Sequence, residues 1–242
     1  MSKFYTSVER YGQNILWRGY ENGKQFSKKV KFQPTLFTNG KKDVTDTKYR
    51  SLTTDKPLVP HQLDSMKEGK EFVERYKDVH GLEIAGNTNY VSQFIQENYP
   101  NEIKFDPSLI NIVSFDIEVD IASGYPDVKT ADKSITSIAY KSSKSSDYHL
   151  LGLKDYDKDE TLLDLHPDNI HFMKFDSEEA LLKRFKELWI NRYPDIITGW
   201  NVEYFDIQYI ITRMIRLFGE EWVKDLSPWR NVRPKEREMF GK

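Results

Sequence analysis

The sequence predicts an α/β (α+β) protein: a small amino-terminal α+β domain followed by a domain with a mixed sheet flanked by helices. Three observations point there. Strand-forming runs and helical periodicities alternate along the chain, clusters of turn residues separate them, and 242 residues with 38% hydrophobic and 14% aromatic content suffice for one large core or two ordinary ones.

The elements follow in chain order. Phe4 to Trp17 is rich in strand formers, Asn22-Gly23 is a favoured tight-turn pair, and Lys28 to Phe32 resumes extended character before Pro34, so the start reads as a hairpin. Asp64 to Val79 reads as a helix with Met66, Phe72, Val73 and Tyr76 on one face; Gly81 ends it and Gly69 weakens it. A shorter helix runs from Tyr90 to Tyr99, closed by Pro100, and Asp106-Pro107-Ser108 is a turn that sets the boundary between domains 1–108 and 109–242. Strands are then expected at Ile110–Val119, Ser134–Tyr140, Tyr148–Leu153 and Ile170–Phe175. The next helix is capped by Asp176 with Glu179 reciprocating, and its apolar stripe is Leu181, Leu182, Phe185, Leu188 and Trp189. After Pro194, Asp195 to Trp200 reads as a strand. A last helix, Phe205 to Phe218, presents Ile207, Ile210, Ile211, Met214 and Phe218 inward and stops at Gly219.

Charge is unevenly spread. Residues 1–50 hold eleven Lys or Arg against four Asp or Glu, residues 224–242 hold six against three, and the stretch between carries −12 of the overall −2. Basic ends around an acidic middle suit a protein that grips a polyanion with one surface and metal cations with another, although solvated faces give the same counts. Zero cysteines exclude a disulfide framework and a thiolate zinc site and fit a reducing compartment. No stretch has the length of a membrane span, and MSKFYTSVERYG lacks the apolar core of a signal peptide, so a soluble, cytoplasmic protein without a membrane partner is expected.

The chemistry centres on SFDIEVD, residues 114–120. In a strand, residues two apart share a face about 6.5–7 Å from one another, so Asp116 and Glu118 project together while Phe115, Ile117 and Val119 pack behind them. Adjacent like charges are unfavourable alone. A hard divalent cation, Mg2+ or Mn2+, removes the conflict, and a pair of such ions serves phosphodiester cleavage; an edge strand with solvated acids is the competing explanation. The run TGWNVEYFDIQYI puts Asn201 at a strand end and Asp206 at a helix start, a common site position in α/β folds, with simple helix capping as the alternative for Asp206.

FDIEV followed some ninety residues later by NVEYFD resembles the first and second exonuclease motifs of family B DNA polymerases. FQPTLF at 32–37, SGYP at 123–126, TGWNVEYFDI at 198–207 and LSPWR at 226–230 are most similar to the replicative polymerases of T-even-like bacteriophages, and the likeness extends over essentially the whole chain. The resemblance implies an amino-terminal domain followed by a 3′→5′ proofreading exonuclease with a ribonuclease H-like core. It makes Asp116, Glu118 and Asp206 metal ligands and catalytic acids for two Mg2+ or Mn2+ ions. Asn201 and Phe205 then hold the substrate end, and Tyr125 contacts bases near the strand terminus, where stacking tolerates any sequence. A turn aromatic covering the core is the other reading of Tyr125. The expected partners are a DNA primer 3′ end and single-stranded template, in the cytoplasm of an infected bacterium, with template or messenger RNA as a further contact of the first domain.

The family's third motif, Y-x-x-x-D, has no match after Asp206; the later acids Glu220, Glu221, Asp225, Glu236 and Glu238 lack a Tyr at that spacing, and no palm, fingers or thumb region follows. A polymerase encoded in two chains, or a truncated product, is therefore expected, with a second chain supplying the fourth carboxylate and docking on exposed apolar surface. Two other functions compete. Residues 1–50, with Lys24, Lys28, Lys29, Lys31, Lys41 and Lys42 among Tyr5, Tyr11, Trp17, Tyr20 and Phe32, have the makeup of a non-catalytic single-stranded DNA or RNA binding module. Another ribonuclease H-like nuclease, such as an RNA-processing enzyme, uses the same acids. The histidines His149, His166 and His171 read as ordinary strand or surface residues, and the tryptophans as core or interface.

Overall fold

A computed structural model describes residues 3–39, 47–122, 124–156 and 169–232. Lys41, Lys42, Ser123, His166 and the terminal segment with Glu236 and Glu238 lie outside the described residues. The protein is α+β and divides into two compact units, one ending at Pro107 and one beginning at Ser108.

The first unit opens with β1 (Lys3–Tyr11), β2 (Asn14–Glu21) and β3 (Lys24–Lys31), an antiparallel meander rather than one hairpin. The turn at Gly12 (φ 60°), which splits the Phe4–Trp17 run, was hidden by strand formers on both sides. Asn22 (φ 53°) and Gly23 (φ 77°) make the second turn, where both central residues need the left-handed region that Asn-Gly tolerates. A second antiparallel sheet has the order β5-β4-β6, from β4 (Thr35–Asn39), β5 (Leu58–Gln62) and β6 (Ile84–Ala85). Helix α1 (Met66–Tyr76) is capped by the Ser65 side chain, and α2 (Tyr90–Asn98) by that of Asn89. Gly69 is no defect here: a Cβ on it would lie 2.5 Å from the Tyr90 hydroxyl, so glycine leaves room for the end of that buried ring. Ile15, Trp17, Phe32, Met66, Tyr90 and Phe94 form the core.

The second unit holds a five-stranded mixed sheet of order β10-β9-β8-β7-β11, built from β7 (Ile112–Val119), β8 (Ile135–Ser142), β9 (Tyr148–Gly152), β10 (Ile170–Lys174) and β11 (Ile196–Thr198). β7 is antiparallel to β8 and parallel to β11, which aligns Thr198 with Ser114. Buried Asn111 sets that register: its amide bonds the Arg192 carbonyl at 3.0 Å, its backbone N–H donates to Asp195 at 2.9 Å, and Ser142 donates to its side-chain oxygen at 2.7 Å. Helices α3 (Glu178–Asn191) and α4 (Asp206–Phe218) pack Leu181, Leu182, Phe185, Trp189, Tyr209, Ile210 and Met214 against Val113, Phe115, Ile117, Ile138 and Tyr140 of the sheet. The short α5 (Glu220–Val223) and the turn after it dock on α3, where the Trp189 indole donates to the Leu226 carbonyl at 2.9 Å.

Two details differ from expectation. Ser177, not Asp176, caps α3, accepting from the Ala180 N–H; Glu178 turns inward, accepts from the Ile135 N–H at 2.8 Å and pairs with Arg213. The buried stripe of α4 is Asp206, Tyr209, Ile210, Arg213 and Met214, so Ile207, Ile211 and Phe218 sit on its half-buried flanks.

Tyr140 is buried in this core, which pushes its phenol up to about 12. The neutral form is favoured by folding, so its contribution is intact below about pH 10 and is lost as pH rises toward 12. In chemical denaturation between pH 8 and 12, we expect Tyr140→Phe to lose about 2 kcal/mol less stability than the parent protein over that window.

Candidate functional site

Alternation on β7 is regular. Val113, Phe115 and Ile117 are buried, and Ile112, Ser114, Asp116 and Glu118 are exposed on the opposite face. Asp116 and Glu118 therefore share a face without help from any other element.

What brings Asp206 to them is the shortness of β11. That strand ends opposite Ser114, and at Gly199 the chain runs so close to β7 that a Cβ would meet the Phe115 carbonyl oxygen at 2.7 Å and Val202 at 3.2 Å. The Asp195–Trp200 strand read from sequence is cut to Ile196–Thr198 by this turn. Asn201 continues the turn at φ 54°, a conformation Asn accepts more readily than most residues, and its carbonyl receives the N–H groups of Tyr204 and Phe205 at 3.0 and 3.1 Å. Helix α4 then begins with Asp206. Its Oδ1 accepts the Ile117 N–H at 3.1 Å, a group on the stretch of β7 that β11 does not reach. Gly199→Ala places a methyl against backbone that cannot yield; we expect a loss of about 1–3 kcal/mol, read as a lowered melting temperature.

Asp206 is only 3% exposed. Burial holds its carboxyl above the usual range; the Ile117 and Asp206 N–H groups oppose that, and the nearby charge of Asp116 adds to it. Two acids 90 positions apart in the sequence thus act on each other, and simple capping does not describe Asp206, whose side chain accepts from the Ile117 N–H of β7 as well as from its own N–H.

Hard carboxylate oxygens that repel one another are the donor chemistry of a Mg2+ or Mn2+ site. The fit is partial: among the described residues, no group of three or more His, Cys, Asp or Glu side chains is disposed to hold a metal ion. Asp116 and Asp206 converge, and Glu118 extends from the same face of β7 two residues on.

The remaining candidates divide. Tyr125 follows Gly124 (φ 111°) and is 93% exposed, so it does not cover the core. Asn201 is exposed in its turn. Phe205 is half-buried, stacked on Tyr209 with ring centroids 5.4 Å apart. Sequence reasoning passed over two rings: Trp200, one residue past the contact with Phe115, is 92% exposed, and Tyr204 is exposed as well. Their interleaving with polar residues in TGWNVEYFD was the available sign, since an apolar stripe would have recurred at helical spacing.

A mixed sheet with helices on its apolar face and acids on β7, next to the β11 edge, defines an α+β domain with carboxylates on the outer face of that strand. The chain belongs to the family B DNA polymerases, whose exonuclease domain matches residues 73–239, a match that starts within α1 of the first unit. It is 31% identical to the DNA-directed DNA polymerase of Escherichia phage RB69 and 30% identical to that of Enterobacteria phage T4, in both cases over all of this chain. It spans 29% and 28% of the length of those two relatives.

Proposed function

We propose that this chain is the proofreading part of a phage replicative DNA polymerase and hydrolyses mispaired DNA from the 3′ end in a metal-dependent reaction. The observation that carries this reading is the convergence of Asp206 on Asp116 through the Ile117 N–H. Asp116, Glu118 and Asp206 would hold Mg2+ or Mn2+, which supplies Lewis acidity and a more acidic bound water. Asp116 and Glu118 meet the terminus from solvent, while buried Asp206 is held rigid by its backbone bond. Exposed Tyr125 and Trp200 offer flat faces to unpaired bases, and Asn201 and Phe205 position the terminal nucleotide.

A further polypeptide segment completes the site in this reading, whether on a second chain or on a longer one, and contributes the fourth carboxylate together with palm, fingers and thumb. Exposed Ile112 and Ile196, register partners on β7 and β11, and neighbouring Ile197 support this by presenting apolar surface on the unit that carries the acids. The test is degradation of a 3′-mismatched primer with and without divalent cation, by the parent chain and Asp116→Ala, each alone and with the rest of the polymerase. Metal-dependent trimming that Asp116→Ala reduces at least about a hundredfold is the expected result. Trimming that ignores the substitution would remove the site from the reaction.

The binding-module alternative retains the lysines on β3 but loses part of its stacking surface. Trp17, Tyr20 and Phe32 are buried, with Lys28 lying 5.3 Å from the Trp17 ring. Phosphate contacts by Lys24, Lys28, Lys29 and Lys31, to template or to RNA, are what remains of that reading. Among the described residues no helix is long and apolar enough to cross a membrane.

A further inference from the structure

Beside the acids, β8 departs from regular pairing. Glu118 pairs with Ser137 and Val119 with Ile135, so Thr136 is an extra residue with no partner across on β7. The burial of its neighbours shows what this bulge does. Ile135 and Ile138 are both 0% exposed although three positions apart, and Tyr140 follows them inward. An uninterrupted strand would turn one of the two isoleucines outward. The added residue keeps both in the core and leaves two consecutive hydroxyl residues half-buried, Ser137 opposite Glu118 and Thr136 beside it. Bulges of this kind re-aim the side chains around them.

The bulge is anchored from several directions. The Ile135 N–H donates to Glu178, at 2.8 Å, rather than to a strand. The Leu153 N–H donates to the Thr136 carbonyl at 3.0 Å, and the Asp120 N–H to the Ser134 carbonyl at 2.9 Å just beyond the irregularity. From this fixed position the Thr136 hydroxyl donates to the Glu118 carbonyl at 3.1 Å. That bond orients the peptide plane that follows Glu118, and so sets the backbone angle on which the direction of its side chain depends. The two acids on either side of Ile117 are therefore controlled differently from their partner on α4: Asp206 is held through its side chain by the Ile117 N–H, Glu118 through its main chain by Thr136.

We propose that Thr136 is a positioning residue for Glu118: its hydroxyl, presented by the β8 bulge, pins the Glu118 carbonyl and thereby aims the carboxylate toward the cation site of Asp116 and Asp206. This rests on the nuclease reading given above. In this role Thr136 touches neither cation nor DNA, and what it must supply is a hydroxyl donor. Ser can supply the same donor, whereas Val keeps the branched shape and strand preference of Thr without it.

The experiment compares the parent chain with Thr136→Val, Thr136→Ser and Glu118→Gln by two measurements. The first is the Glu118 side-chain rotamer from NMR couplings of the full chain without metal: one rotamer is expected in the parent and in Thr136→Ser, and averaging in Thr136→Val. The second is single-turnover trimming of a 3′-mismatched primer with the rest of the polymerase present. There the Mn2+ concentration giving half the maximal rate should rise at least about tenfold in Thr136→Val, with primer affinity unchanged, and return to within about twofold of the parent in Thr136→Ser. Melting temperatures should differ by no more than about 5 °C, since the bond is a single exposed one. Parental behaviour of Thr136→Val in both measurements, while Glu118→Gln loses activity, overturns the positioning role and leaves the nuclease reading standing. A Thr136→Ser protein as impaired as Thr136→Val also overturns it, because side-chain shape rather than the hydroxyl would then matter. Normal trimming by Glu118→Gln removes Glu118 from the reaction and takes the positioning role with it.

Discussion

Replacing Asp206 by Asn is expected to leave the protein as stable as before, or slightly more so, while reducing metal-dependent trimming of DNA ends at least about a hundredfold. The two halves of that outcome have different causes. Asn keeps the volume and a carbonyl oxygen that can accept the Ile117 N–H at the 3.1 Å separation Asp206 uses. It also removes a charge that burial and Asp116 both disfavour. Asp206→Ala should behave differently, because it strands the Ile117 N–H in a buried position and costs about 1–3 kcal/mol. Melting curves beside single-turnover hydrolysis, measured with the rest of the polymerase present, check both variants. If the Asp206→Asn protein trims normally, the charge has no part in the chemistry and Asp206 is a structural residue.

Breaking the buried pair between Arg213 and Glu178 should have the largest effect on stability. Arg213 donates to both Glu178 oxygens at 2.8 and 2.6 Å, and also to the carbonyls of Ala131 and Asp132 at 3.1 Å and to Ser134. Both side chains are under 10% exposed. One residue thus ties α4, the start of α3 and the loop entering β8 together. Arg213→Met leaves the Glu178 carboxylate buried without its counter-charge, a loss of about 3–5 kcal/mol. In a domain of this size that is roughly 10 °C in melting temperature. Adding Glu178→Gln should restore more than half of it, since Gln can still accept the Ile135 N–H and no longer buries a charge. A double variant no better than Arg213→Met would show that the carbonyl contacts, rather than the ion pair, hold the junction.

How far the sequence foretold this molecule depends on the element. β7 was legible because alternation is a local property: Phe115 and Ile117 inward, Asp116 and Glu118 outward, as found. Asn22-Gly23 was legible for the same reason, since its turn needs only the two residues that form it. The face of α4 was misjudged because an apolar stripe was sought, and the buried stripe includes Asp206 and Arg213, polar residues whose partners on β7 and α3 are remote in sequence. The α3 cap lies one residue later than expected, because Asp176 and Ser177 are both capping residue types and the local pattern does not separate them. Gly69 read as a weakness, whereas the Tyr90 side chain takes the space its missing Cβ leaves. As for the site, each acid could be nominated from its motif, but their meeting rests on where β11 stops and on the missing Cβ of Gly199, which spacing does not encode.

The amide of Ile117 has a use that follows from its bond to Asp206. In an ordinary sheet that proton would report only on the neighbouring strand; here it is held by the carboxylate proposed to bind the cation. Its resonance and its exchange with deuterium should therefore track cation loading in solution, giving a reporter intrinsic to the polypeptide that needs neither a dye nor a DNA substrate.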